Sequence, residues 1–136
     1  MIRSAKEFIE LRTSHVPTDY QRAATDSASL EVWYEIINHF PEMKVWVAHN
    51  KTVPSEILAI LATDADPDVR FVVAQKNKLP RDVMERLARD DQEEVRRRIA
   101  YNKMVPLHVL LDLSKDESES VREAASRRLR KPTRES

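Results

Sequence analysis

The chain has 136 residues, 41% of them hydrophobic and 34% charged, with 23 Lys+Arg against 23 Asp+Glu. This length suggests one domain, and a net charge of zero exerts no overall pull towards nucleic acid or an anionic membrane. With neither Cys nor Gly, disulfides, thiolate nucleophiles and Cys-ligated metal sites are excluded, as are glycine-rich phosphate loops, and the lack of the residue best suited to positive φ favours helices over tight hairpins.

The N-terminal stretch MIRSAKEFIELR is charged from its third residue and has no apolar leader core. No run approaches the ~18 apolar residues of a membrane span, so the expectation is a cytoplasmic protein. Ser4 and Glu7 have the spacing of a capping box, and Phe8, Ile9 and Leu11 form an apolar side, which predicts a helical cap. RAATDSAS (22–29) reads as a worn copy of a segment that recurs downstream. LEVWYEIINHFPEMK (30–44) then fits the downstream phase with one residue fewer in its loop, placing Val32, Trp33 and Ile36 where Ile57, Leu58 and Leu61 stand later.

From there a 26-residue period is explicit. VWVAHNKTVP (45–54) aligns with FVVAQKNKLP (71–80) and RRIAYNKMVP (97–106). Ala48, Ala74 and Ala100 share one phase, as do Pro54, Pro80 and Pro106, and Asp64, Asp90 and Asp116. Met43, Val69, Val95 and Val121 form another column, followed by Lys44, Arg70, Arg96 and Arg122. Each unit reads as two helices. The first is expected to begin at the proline, whose φ suits the first helical position, with Glu56 and Asp82 placed to meet the helix dipole; His108 departs from that column. Ile57, Leu58 and Leu61 recur as Val83, Met84, Leu87 and as Val109, Leu110, Leu113, one apolar helical face. The acidic loops TDADPD, RDDQEE and KDESES end the first helix. The second is expected to start at Val-Arg, run about two turns at ~3.6 residues each, bury Val69 and Val73 or Val95 and Ile99, and stop at Asn50 or Asn102 with the proline beyond.

A 26-residue unit cannot bury both helices alone, and stacking on its neighbours completes the core. The motif D-x-D-P-D-V-R at 64–70, with copies at 90–96 and 116–122, resembles the loop and second helix of HEAT-type repeats. The short period and the V-A-x-N-x-x-x-P segment are more similar to the leucine-rich repeat variant. The resemblance covers about residues 30–129. It implies an all-α fold: a short right-handed α-solenoid (α-α superhelix) of about four two-helix repeats with a helical N-terminal cap. The organisation expected is one domain over 1–136, with cap and degenerate repeat at 1–29, repeats at 30–129 and a polar tail at 130–136. The resemblance also implies Asp and Arg columns that interlock between neighbours. One leucine-rich-repeat-variant type carries an iron–sulfur cluster on a Cys-containing segment, which a chain without Cys does not reproduce.

Such scaffolds mostly bind other molecules. The set beside the buried stripe of the second helix is Trp46, His49, Asn50, then Val72, Gln75, Lys76, then Arg98, Tyr101, Asn102, flanked by Phe71 and Arg97. It holds residue types that dominate hot spots. The expected partner face is therefore Trp46, His49, Asn50, Phe71, Gln75, Arg97, Arg98, Tyr101 and Asn102. Trp46 has a second reading, as a plug between the degenerate repeat and the regular ones. The first expectation is a non-catalytic protein-binding module, monomeric by default, with no cofactor and no membrane partner. The alternative is nucleic-acid binding through Arg96–Arg98, Arg127, Arg128 and Lys131, in line with a net −5 over residues 1–68 and +5 over 69–136. An enzyme ranks last. HEAT-like DNA glycosylases exist on related scaffolds, but no nucleophile–base set is visible here. Glu35 and His39 sit at i, i+4 but are too few for a zinc site, so no metal is expected.

Overall fold

The computed structural model describes residues 1–130; the expected tail beyond Arg130, including Lys131 and the Pro132 helix stop, lies outside the described residues. Contacts gather the chain into two compact units, Met1–Asp64 and Ala65–Ser136. The change falls inside the acidic loop TDADPD. The described residues form short helices, with a single isolated β-bridge between Ile2 and Ala28. Among them no helix is long and apolar enough to cross a membrane.

The first unit holds α1 (Ala5–Thr13), α2 (Pro17–Thr25), α3 (Leu30–His39), a 3₁₀ turn (Pro41–Met43), α4 (Lys44–His49) and α5 (Ser55–Leu61). α1 packs on α2 and α3, and α4 on α2, α3 and α5. Local sequence fixes the starts. Ser4 Oγ accepts from the Glu7 N–H at 3.0 Å and Ser29 Oγ from the Val32 N–H at 3.3 Å, the N-cap bond that satisfies an otherwise orphaned donor. The capping box is only half formed, because the Glu7 carboxylate accepts from the Arg3 N–H instead. Phe8, Trp33, Ile36, Val47, Ile57 and Leu61 are buried. Phe8 and Trp33 meet edge to face, with ring centroids 5.7 Å apart, the arrangement that ring quadrupoles favour.

The second unit holds α6 (Pro67–Ala74), α7 (Arg81–Leu87), α8 (Glu93–Ala100), α9 (Leu107–Leu113) and α10 (Glu119–Arg130). Every other helix meets: α6 packs on α8 and α8 on α10, while α7 and α9 bridge their sequence neighbours. The predicted apolar faces are the buried ones. Val83, Met84 and Leu87 of α7, Val109, Leu110 and Leu113 of α9, and Val69, Val73, Val95, Ile99 and Val121 of the other helices are all core.

The helix starts differ from expectation. Pro54, Pro80 and Pro106 are caps, one residue before the first helical position, because their ψ is extended at 157°, 147° and 150°. Their carbonyls accept the first helical bonds, as from Leu58, Met84 and Leu110. The proline that does occupy a first position in this unit is Pro67, behind the Asp66 cap. The second helices begin two residues ahead of the Val-Arg pair, at Pro67, Glu93 and Glu119. α10 runs 12 residues against 8 for α6 and α8. Arg128 stands inside α10 at the position that Lys76 and Asn102 hold beyond the ends of α6 and α8.

Candidate binding surface

Three columns of polar residues repeat with the sequence period, and their bonds decide which predicted residues remain available. The first is the basic column. Lys44 Nζ lies 2.7 Å from Asp64 Oδ1, Arg70 Nε 2.7 Å from Asp90 Oδ2, and Arg96 Nε 2.9 Å from Asp116 Oδ2. Each cation thus reaches the aspartate of the following period, and both arginines add a second bond from Nη2. Arg96 Nη1 also donates to the Asp90 carbonyl at 2.6 Å, and Arg122 Nη1 repeats that bond on the Asp116 carbonyl at 2.8 Å. This is the interlocking arrangement, not a row of cations open to phosphate. Arg96 and Asp116 side chains are 9% and 10% exposed. Burial opposes ionisation of Asp116, but the hydrogen bonds from Arg96 and from the Ser118 N–H outweigh it, and its pKa lies below the ordinary carboxylate value. The hydrogen bond to Asp116 raises the Arg96 pKa against the opposing effect of burial.

The second column is Asn50, Lys76, Asn102 and Arg128. Asn102 Nδ2 donates to the Lys76 carbonyl at 2.7 Å and the Ala74 carbonyl at 3.4 Å, and its Oδ1 accepts from the Met104 N–H. Asn50 makes the matching set, donating to the Ala23 and Asp26 carbonyls and accepting from the Thr52 N–H. Arg128 Nη1 reaches the Ala100 and Asn102 carbonyls at 2.8 and 3.1 Å. These side chains satisfy carbonyls that an ending helix leaves orphaned. Asn50 and Asn102 are 0% exposed, so neither belongs to an open partner face. The i, i+3, i+4 spacing that grouped them with Trp46 and Arg98 presumes a continuing helix. α4 ends at His49, with Asn50 as its cap, and α8 ends at Ala100, two residues ahead of Asn102.

The third column links first helices. Tyr34 Oη of α3 donates to Glu56 of α5 at 3.2 Å, and His108 Nε2 of α9 lies 2.7 Å from Glu85 of α7. The departure of His108 from the acidic column therefore has a partner. Burial, then the bond to Glu56, raises the Tyr34 pKa.

Of the remaining predicted residues, Gln75 and Tyr101 are exposed, and Phe71, Arg97 and Arg98 are half-buried in the second unit. Arg97 Nη1 donates to Ser120 Oγ at 3.0 Å. Of the cations in the nucleic-acid expectation, Arg96, Arg97 and Arg128 thus carry internal bonds, and Arg127 pairs with Glu123 at 3.1 Å.

In the first unit, Trp46 and His49 stack with centroids 5.5 Å apart and planes at 30°. The Arg12 guanidinium lies over the Trp46 ring, 3.4 Å from its centroid. Together with Tyr20, Ala23, Ala24 and Lys51 they line an open cleft of about 550 Å³. Trp46 does meet the N-terminal helices, as the plug reading has it, but the ring stays half-exposed. Arg12, Tyr20 and Lys51 were not legible as site residues. α1 and α2 lie outside the clear 26-residue phase, and no column carries them to Trp46. Among the described residues no three His, Cys, Asp or Glu side chains gather as a metal site, and Glu35 and His39 are both exposed on α3. In comparisons with family models, curated proteins and solved structures, nothing matches this chain.

Proposed function

We propose that the chain is a non-catalytic protein-binding module, built as a short right-handed α-solenoid of HEAT-like, leucine-rich-repeat-variant units. The repeat reading is supported by the recurrence of one bond pattern: a cation to an aspartate 20 positions on, three times over. The binding reading is carried by one observation, the cleft in which Trp46 is half-exposed between Arg12 and His49. Partly exposed Trp and Arg, together in a concavity, are the side chains that anchor interfaces. In the second unit, taken by itself, the proposed second-helix face is Gln75, Arg98 and Tyr101.

Affinity capture from native lysate tests this, with wild type, Trp46→Ala and Tyr101→Ala side by side and both protein and nucleic acid identified. The reading expects a protein held by wild type and lost from Trp46→Ala, with helicity by circular dichroism unchanged. Nucleic acid held equally by all three, and released by salt, would replace it with a basic surface in the C-terminal half.

A further inference from the structure

We infer that the Trp46 cleft takes an acidic protein segment: a carboxylate set against the edge of Arg12, with an adjoining apolar side chain against Tyr20 and Ala23. The inference rests on the protein-binding reading and names the chemistry of the partner. Four observations lead to it.

The first is the geometry of Arg12. A guanidinium stacked on an indole has one face covered, while its N–H donors lie in its own plane. The stack holds the fork in place and leaves its edge for a planar, bidentate acceptor, which is what a carboxylate offers. The second is charge. In this unit Lys44 pairs with Asp64, Arg22 with Asp26 and Lys6 with Glu10. Among the described residues the side chains of Arg3, Arg12 and Lys51 pair with no carboxylate; Arg12 and Lys51 line the cleft, and no Asp or Glu does. Residues 1–64 carry 9 acidic against 6 basic side chains, so the two cations of the cleft stand without a carboxylate beside them on an otherwise acidic background. The third is the register. Position 46 shares its phase with Val72 and Arg98, and Val72 is buried at 8% exposure. The fold accepts a valine in that slot, so the larger, half-exposed ring exceeds what packing asks of it. The fourth is size. About 550 Å³ is within the range of ligand pockets and admits a few side chains of one segment.

The acidic background decides between macromolecules. A polyphosphate backbone brings a continuous line of negative charge that net-negative surroundings repel. A peptide brings a few carboxylates that two cations can match.

The test uses the full chain and short synthetic peptides, with binding followed by amide and indole NMR shifts. One peptide alternates Glu with Leu or Phe, a second replaces Glu by Lys, a third replaces the apolar residues by Ser, and single-stranded oligo-dT is the fourth ligand. The first peptide is expected to bind best, moving the Trp46 indole and the Ala23, Ala24 and Lys51 amides, with affinity falling as salt rises. Arg12→Gln and Lys51→Gln should each weaken it by about tenfold, the order of one charge-assisted bond; Lys51 is exposed, so that variant keeps the test valid if Arg12→Gln unfolds. Equal binding of the Lys peptide, shifts outside the cleft, preference for oligo-dT, or no binding at all would overturn the inference. A lysate protein held through Trp46 with no response to acidic peptides would overturn only the acidic assignment and leave the binding module standing.

Discussion

A buried amide destabilises a fold unless both its ends are bonded, and Asn102 meets that condition with three backbone groups. Its Nδ2 faces two carbonyls from one period earlier, and its Oδ1 holds the Met104 N–H. One side chain thus holds the turn that follows α8 and closes the end of α6, one period earlier. Asn102→Ala removes the donor and strands buried carbonyls, at a cost of about 1–3 kcal/mol. Chemical denaturation should show a lower midpoint with an unchanged slope. Asn102→Asp should cost at least as much, since it brings a carboxylate against carbonyl oxygens. An Asp variant as stable as wild type would show that the Nδ2 bonds contribute nothing. The role was half legible in the sequence. The column at 50, 76, 102 and 128 keeps phase, but helical spacing assigns it to an outer face, and only the early helix end turns it inward.

Between elements, the Arg96–Asp116 pair ties α8 to the loop ahead of α10. Its exposure of about a tenth at each side chain sets it apart from surface pairs, which contribute little. The two columns were legible because they hold the 26-residue phase, while their interlock was an expectation from the HEAT-type resemblance; the helix starts were less legible, because a proline's φ suits the cap and the first helical position alike, and only ψ separates them. Asp116 has a folded pKa below its ordinary value. Its ionised form therefore stabilises the fold above the ordinary carboxylate pKa of about 3.9, and that contribution is lost as pH falls through the folded value. Asp116→Asn should cost about 1–3 kcal/mol at neutral pH, as a charged hydrogen-bond partner is removed. The gap between wild type and variant should close as pH drops well below 4, where both side chains are neutral. Paired urea titrations at neutral and acidic pH read this directly, and a gap independent of pH would assign the loss to packing rather than charge.

At the scale of the whole molecule, what was legible in the sequence is what repeats. Alternating helices, their buried faces and the basic ladder all follow from one period, and all are present. The Trp46 cleft was legible only through Trp46 and His49, because Arg12, Tyr20 and Lys51 follow no column. If the period is also the structural unit, removing one period should leave every column in register. Deleting residues 71–96 joins Arg70 to Arg97 and sets Asp116 twenty positions after Arg70, the spacing that Asp90 now holds. Asn102 then takes the place of Lys76, and Val109, Leu110 and Leu113 that of Val83, Met84 and Leu87. Stability in stacked repeats is close to a sum of unit and neighbour contributions. The shortened chain should therefore keep helical circular dichroism per residue and a cooperative thermal transition, at a lower midpoint. A control deletion of 71–83, half a period, leaves Asp90 only seven positions after Arg70 and runs the start of α6 into the second half of α7, with Met84 about 200° round the helix from Val69; it should lose both the transition and the helicity. Equal behaviour of the two deletions would mean that the period, though written in the sequence, is not what holds the helices together.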